Sequence, residues 1–320
     1  MTRQPSPRRK RAGSPPDRLQ IRIRPQAVAL TIAGSDPSGG AGLQADLKTF
    51  QQLGVYGMSV ITLITAQNTR GVQHLEPLPF ELIESQLRSV LDDIPPSVIK
   101  TGALGSAESV IRLSRLLNDC PCPIVVDPVL VSKHGDPLAG DDVVDAYREH
   151  LFPLAHLITP NRFEAERLTG EAIRDRPSAE RALTRLQSFG PRDVLIKLGE
   201  FEGNQGHYLT NGEGFLSLAT PRLPGGNTHG SGCILAAAIA AALAIGAPSI
   251  DQAVNFGIER TLEAIHVDTR LGHGIHPAET RGIAGKKVSD TFCAKHPEGE
   301  SLAKGVRHLF SRTTLKRRSR

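Results

Sequence analysis

The chain has 320 residues, 39% of them apolar and 22% charged, enough for one large α/β domain or two small ones. Trp is absent and only three Tyr occur, so little is available for stacking on bases. The net charge of +5 sits at the ends: residues 1–26 carry +7 and residues 286–320 another +7, leaving an acidic body of −9, which is not the pattern of a basic DNA-binding domain, so no specific nucleic-acid partner is expected.

Residues 1–26, rich in Pro, Arg and Ser, are expected to form a disordered basic tail. No apolar region follows the basic residues, so this is no secretory signal. The Arg-rich, acid-poor start has something of an organelle transit peptide, but its Pro content and missing amphipathic stripe argue for a plain tail. Order is expected from Ala27 onward. Val28 to Ala33 is a short apolar run closed by Gly34, a buried strand. Helical spacing runs from Leu43 to Leu53, and Met58 to Ala66 is a second buried strand, apolar and β-branched. Phe80 to Ile94 places Ile83, Leu87, Val90, Leu91 and Ile94 on one helical face. A strand is expected over Val98–Leu104, a helix over Ser109–Leu117 and a strand over Ile124–Asp127. Cys120-Pro121-Cys122, between the last two, reads as the polar cap before a strand rather than as a soft-metal site. With Cys233 and Cys293 remote in sequence, the four cysteines form neither a disulfide framework nor a paired zinc knuckle. A reducing, cytoplasmic compartment is the simplest expectation.

The alternation continues with a helix over Asp141–Leu151, a strand over Leu157–Thr159 stopped by Pro160, a helix over Ser178–Phe189 and a strand over Val194–Lys197. From Gly206 to Leu223 the pattern breaks into short pieces around Asn211-Gly212, a hairpin signal. Two helices follow, Ser231–Ile245 and Ile250 to about Val267. The Ala-rich run Ile234–Ile245 is too short to span a bilayer, so no membrane partner is expected. Residues 280–320 lose periodicity and are expected as a second basic, disordered tail, with one domain over 27–279. Strands alternating with helices imply an α/β fold, a central and mostly parallel sheet with helices on both faces. Such sheets bind ligands at the carboxyl ends of their strands, which selects the loops 34–42, 66–71, 101–106, 127–137, 159–164 and 197–206.

The strongest local feature is Gly225-Gly226-Asn227-Thr228-His229-Gly230-Ser231-Gly232-Cys233, running directly into the Ala-rich helix. Glycines on both sides of Ser231 let the backbone approach a ligand closely, and the free N–H groups of a helix start make an anion site. Cys233 lies at that start, where a thiolate is favoured, and is a candidate general base for an attacking hydroxyl; the alternative is a buried structural cysteine. In the first loop, Gly40-Ala41-Gly42-Leu43-Gln44-Ala45 matches the form of a dinucleotide fingerprint. The loop is too long for that turn, however, and the second strand ends on Gln67-Asn68, with no acid for a ribose. It lacks the Lys-Ser/Thr of a phosphate loop as well, and suits the covering of a small substrate. Asp46 is placed to accept from an exocyclic amine, or is simply a first-turn acid favoured by the helix dipole. Asp127 and Glu164 follow neighbouring strands, as carboxylates holding Mg²⁺ do. Alternatively, Asn161 caps the next helix with Glu164 at its N3 position. Lys197 is either near a polyphosphate or a solvated strand end.

These residues spell out a resemblance. Ala29 to Val72 resembles the opening of the hydroxymethylpyrimidine/phosphomethylpyrimidine kinases, members of the ribokinase-like superfamily. Val125 to Val129, Lys133 with Gly135 to Leu138, Thr159 to Asn161, Asn227 to Cys233 and Gly272 to Ile275 are similar to later family motifs in the same order, over about Ala27 to Pro277. The resemblance implies an enzyme dependent on ATP and Mg²⁺ that phosphorylates 4-amino-5-hydroxymethyl-2-methylpyrimidine and then its monophosphate, for thiamine biosynthesis. It implies Gly34, Asp46 and Gln67 at the pyrimidine, Gly230, Ser231 and Gly232 as the anion hole and Cys233 as base. Lys197, Asn161 and Thr228 are expected at the phosphates, Asp127 and Glu164 at the metal, and a homodimer is implied. Cys at position 233 is shared with the related pyridoxal kinases, whereas Gln67-Asn68-Thr69 favours the pyrimidine, since an amide both donates and accepts. The chain departs from the pattern at Ala103, where Met is usual, at Leu130 and His134, and at Lys197-Leu198-Gly199-Glu200. Those departures bear on substrate choice: a pyridoxal kinase is the alternative on the same fold, and a non-catalytic pyrimidine-binding regulator the alternative of another class.

Overall fold

The structure, a computed structural model, describes residues 27–132, 135, 138–201, 204–210, 214–221 and 227–283. Residues 1–26 and 284–320, the Lys133, His134, Asp136 and Pro137 positions, Asn211-Gly212 and Gly225-Gly226 therefore lie outside the described residues.

Among the described residues nine strands form one sheet: β1 (Val28–Ser35), β2 (Tyr56–Asn68), β3 (Gly71–Pro77), β4 (Val98–Thr101), β5 (Ile124–Val126), β6 (Leu157–Ile158), β7 (Asp193–Phe201), β8 (Asn204–Thr210) and β9 (Phe215–Thr220). Their order is β3-β2-β1-β4-β5-β6-β7-β8-β9. The run from β2 to β7 is parallel, with β3 antiparallel on one edge and the β8–β9 hairpin on the other. The helices are α1 (Gly42–Gln52), α2 (Phe80–Leu91), α3 (Ala107–Leu117), α4 (Asp141–Ala146), α5 (Arg162–Thr169), α6 (Arg176–Gln187), α7 (Ser231–Ala244) and α8 (Ile250–His266).

Successive side chains of a strand point to opposite faces, and the central strands use this to bury both. Leu30, Ile32, Ile99, Val126 and Ile196 face one core, covered by α2 to α6. Ala29, Val98, Val125 and Leu195 face the other, covered by α1, α7 and α8. The buried run of α7, from Ile234 to Ala242, is apolar on all sides because sheet and α8 enclose it. Small residues let those layers approach: a Cβ on Gly257 of α8 would stand 2.5 Å from Ile239 Cγ1 of α7.

Several boundaries differ from expectation. β3 was not foreseen, because its Gln73, His74, Glu76 and Pro77 face water at the sheet edge and leave no apolar pattern. The strand expected to Leu104 ends at Thr101, where the chain turns into a loop at the carboxyl end of the sheet. The helix expected over Asp141–Leu151 is α4 followed by a π-helical turn, Tyr147–Leu151, which seats the Tyr147 hydroxyl under the Gly102 carbonyl at 3.2 Å. The packed chain also passes the expected boundary at residue 280: Thr280–Ile283 forms a 3₁₀ turn with Thr280 and Ile283 buried. Among the described residues no helix is long and apolar enough to cross a membrane.

From β1 the chain runs outward to β2 and β3, then returns to place β4 on the other side of β1. The strand order therefore reverses between β1 and β4, and such switch points open a crevice at the strand carboxyl ends.

Candidate active site

The crevice is built by the β1–α1 loop, the start of α7 and two lysines, one buried and one partly exposed. Asp36 anchors the loop. Its carboxylate accepts from Ser38 N–H (2.8 Å), the Ser38 hydroxyl (2.9 Å) and Ala41 N–H (2.8 Å), and it meets His229 Nε2 at 3.0 Å. Burial works to raise the Asp36 carboxyl, but the bonds from His229 and Ser38 bring it below its ordinary value. The segment before α7 is thereby tied to the loop after β1. The approach is close enough that a Cβ on Gly230 would overlap the Gly40 carbonyl, and Gly230 itself has φ +77°. Glycine is required there for both reasons. The C-terminal motif closes the same rim: His229 N–H donates to the His276 carbonyl (3.1 Å), and Ile275 N–H to the Thr69 carbonyl (2.8 Å). A Cβ on Gly274 would strike Thr69, which explains that glycine.

Asp46, on α1, lies across the switch point from Lys100 on β4. Its Oδ2 accepts from Lys100 Nζ at 2.8 Å and from the Thr31 hydroxyl at 2.6 Å, and both side chains of the pair are 0% exposed. Burial pushes the Asp46 carboxyl up; burial also opposes the Lys100 ammonium, which the carboxylates of Asp46 and Asp127 nevertheless hold above its ordinary range. Asp46 Oδ1 is buried and has no partner among the described residues, so one acceptor there is unspent. Gly34, at the end of β1, is buried where a Cβ would stand 2.6 Å from Leu63 Cδ1, and Gln67 stands half-buried at the carboxyl end of the neighbouring β2.

The second lysine serves the other side. Lys197 of β7 bonds to Asp127 Oδ1 at 2.7 Å, and Asp127 also accepts from the Thr159 hydroxyl at 3.1 Å. Burial opposes the Lys197 charge, but Asp127 and Glu164 hold its ammonium above its ordinary value. This ammonium reaches the start of α7, where a Cβ on Gly232 would stand 3.3 Å from Nζ. Ser231 N–H is already spent on the Thr228 carbonyl at 3.2 Å. With Ser231 N–H so engaged, the donors of the first turn of α7 left for a ligand are the N–H groups of Gly232 and Cys233.

Two expectations about chemistry change. The helix start does not make Cys233 a thiolate: burial pushes its thiol up to about 12, Lys100 lowers it, and Asp46 and Asp127 raise it again. Desolvation beside two carboxylates outweighs the helix dipole. Asn161 and Glu164 form the reciprocal capping box of α5, with Glu164 N–H donating to Asn161 Oδ1 (2.9 Å) and Asn161 N–H donating to Glu164 Oε2 (2.7 Å). The capping alternative is thus realised. Glu164 is nevertheless buried near Lys197 and Asp127, and burial pushes its carboxyl up to about 7, with Lys197 opposing and Asp127 adding.

The arrangement suits an anion flanked by a helix start and an ammonium, with carboxylates behind. Among the described residues no three His, Cys, Asp or Glu side chains cluster as a closed metal cage. Asp127, with Glu164 nearby, fits instead the sparse carboxylate set typical of Mg²⁺, whose other ligands are phosphate oxygens and water.

A family profile described as phosphomethylpyrimidine kinase matches residues 36–279. The chain belongs to the phosphomethylpyrimidine kinase family. It is 46% identical over 252 residues to a hydroxymethylpyrimidine/phosphomethylpyrimidine kinase of Streptomyces coelicolor, covering 79% of this chain and 93% of that one. It is 40% identical to the enzyme of the same name from Bacillus subtilis, covering 78% and 93%. Among solved structures, the phosphomethylpyrimidine kinase of Clostridium difficile matches with a TM-score of 0.67 at 40% identity, over 75% of this chain and 99% of that one. The pyridoxal kinase of Staphylococcus aureus, in complex with AMP-PCP and pyridoxal, matches with a TM-score of 0.73 at 34% identity, over 79% and 93%. The kinase therefore has the ribokinase-like α/β fold that its sequence implied.

Sequence reasoning missed three residues of this site: Asp36, Lys100 and His229. Lys100 had a visible signal, a lysine inside a strand buried on both faces, which must find a partner. Asp36 had a weaker one, an acid opening a turn of Pro, Ser and Gly. Nothing local marked His229 as the partner of Asp36, a contact across almost the whole domain.

Proposed function

We propose that the kinase transfers the γ-phosphoryl of ATP to the hydroxymethyl oxygen of 4-amino-5-hydroxymethyl-2-methylpyrimidine and then to the monophosphate so formed. The observation that carries this reading is Lys197 Nζ against Gly232 at the start of α7, with Cys233 in the same turn. Gly34, Asp46 and Gln67 border the pyrimidine side of the crevice, and Asp46 Oδ1 is the acceptor left for an amine. On the phosphate side, Gly232 and Cys233 N–H groups receive the transferring phosphoryl, and Lys197 turns from Asp127 toward it. Thr228 and Asn161 hold that wall in place through the turn at Ser231 and the α5 cap. Asp127, with Glu164 behind it, would hold Mg²⁺, which would supply neutralisation of the charge on the transferring group.

Such transfer depends on positioning and electrostatics, and asks little of a base. With its thiol raised to about 12, Cys233 takes the hydroxyl proton only from its thiolate form, a minor population at neutral pH that the Lys100 charge favours. Cys233→Ala is expected to leave the KM for pyrimidine nearly unchanged and lower kcat by about 10²–10⁴-fold, the usual worth of general-base catalysis. Unchanged turnover would remove Cys233 from the chemistry. The same reading makes the kinase a cytoplasmic homodimer; light scattering that gives the mass of one chain would end that part of it.

A second reading, pyridoxal phosphorylation, is favoured by Ala103 beside the crevice and by the likeness to a pyridoxal kinase. ADP release with the pyrimidine, and separately with pyridoxal, decides between them. Turnover on pyridoxal alone overturns the pyrimidine assignment, and turnover on neither brings forward a non-catalytic regulator.

A further inference from the structure

At the amino end of β5, the sheet edge opposite the crevice, the chain brings two sulfurs together. Cys120 N–H donates to the Leu117 carbonyl (3.0 Å) as α3 ends, and Ile99 N–H donates to the Pro123 carbonyl (3.0 Å) as β5 begins. These bonds pin both ends of Cys120-Pro121-Cys122. Each cysteine precedes a proline, which disfavours helical backbone at both. Within this clamp the two Sγ atoms lie 3.1 Å apart. Both are free thiols and half-buried, and Pro121 between them is exposed, so the pair opens at the surface. The kinase reaction makes no use of it, since β5 separates it from Asp127 at the strand's other end. No third His, Cys, Asp or Glu joins the pair among the described residues, so the ligand set of a structural zinc is missing.

We propose that Cys120 and Cys122 form a thiol–disulfide exchange site for low-molecular-weight disulfides. The Cys122 bond draws the Cys120 thiol down to about 7, while Cys120 and burial push the Cys122 thiol up, so Cys120 is the sulfur that attacks first. Its thiolate attacks one sulfur of a disulfide RSSR; a Cys120–SR bond forms, the R–S–S–R bond breaks and RS⁻ leaves. Cys122 then gives its proton to solvent, attacks Cys120 Sγ and expels the second RS⁻. The dithiol has lost two electrons and two protons, and RSSR has become two thiols. Because the second sulfur is already in contact with the first, the closing step is intramolecular and the mixed disulfide does not accumulate.

The test uses the full chain in a Cys293→Ser background, equilibrated in glutathione/glutathione-disulfide buffers, alkylated and mapped by mass spectrometry without reduction. The expected result is a peptide with Cys120 and Cys122 joined, lighter by two hydrogens, outnumbering glutathionylated Cys120 by about tenfold or more. Cys122→Ser should accumulate glutathione on Cys120, whereas Cys120→Ser should leave Cys122 largely unmodified. The proposal is overturned if the wild-type pair stops at the mixed disulfide, or if Cys120 reacts no faster than Cys233.

Discussion

Two lysine–aspartate pairs flank the start of α7, and they differ in surroundings rather than in length. Asp46–Lys100, at 2.8 Å, is sealed, with both side chains 0% exposed; Asp127–Lys197, at 2.7 Å, has a lysine 13% exposed that borders Gly232. Distance alone would rank them as equals. Burial separates them: a charge with no access to water cannot leave its partner without facing a large desolvation cost, whereas one at a cleft can exchange its partner for a ligand. The sealed pair locks α1 to β4 across the switch point. The open pair is where a phosphate can enter.

Substitutions can break that comparison. The largest effect is expected from Lys100→Met, which strands Asp46 without its cation: a loss of about 3–5 kcal/mol in urea unfolding, mostly recovered in Lys100→Met/Asp46→Leu. A loss below about 1 kcal/mol would mean that the pair is not sealed. Lys197→Met should cost less stability but lower kcat by about 10²–10³-fold, comparable to losing one donor at a developing charge. Equal stability losses for the two lysine variants would erase the distinction. Gly232→Ala, whose methyl meets Lys197 Nζ at 3.3 Å, should reduce kcat/KM for ATP by about tenfold while the melting temperature holds.

A last effect concerns pH. Glu164 has its carboxyl raised from 4.5 to about 7 in the folded chain, so between those values the folded state binds the extra proton. Stability therefore falls as pH rises from about 4.5 to about 7, and the penalty is complete above that. Glu164→Gln keeps an acceptor for the α5 cap and should flatten this slope. A wild-type slope of opposite sign over the same range would show Glu164 ionised at lower pH than its burial implies.

Much of the fold was readable along the chain because it rests on local patterns. β1, β2, α2, α7 and α8 each announce themselves through apolar period or turn residues. β3 did not, being an edge strand that buries little, and neither did the π-helical turn at Tyr147, whose spacing no side-chain pattern encodes. At the site, Gly230 to Cys233 and Asp127 were legible because glycines before a helix and an acid ending a buried strand are local statements. The thiol state of Cys233 was not, because the helix start was visible whereas Asp46 and Asp127, brought from other parts of the chain, were not.

By itself, then, the amino-acid sequence determined the alternation of strand and helix, the glycine-rich helix start and the family, all consequences of neighbours within a few residues or of motifs in order. Only the tertiary structure decided which lysine is sealed and which is open, that Asp36 and His229 join two distant loops, and that Asn161 and Glu164 cap a helix. Burial and pairing across the sheet are properties of packed space, and a carboxylate or ammonium takes its charge from that space rather than from its position in the chain.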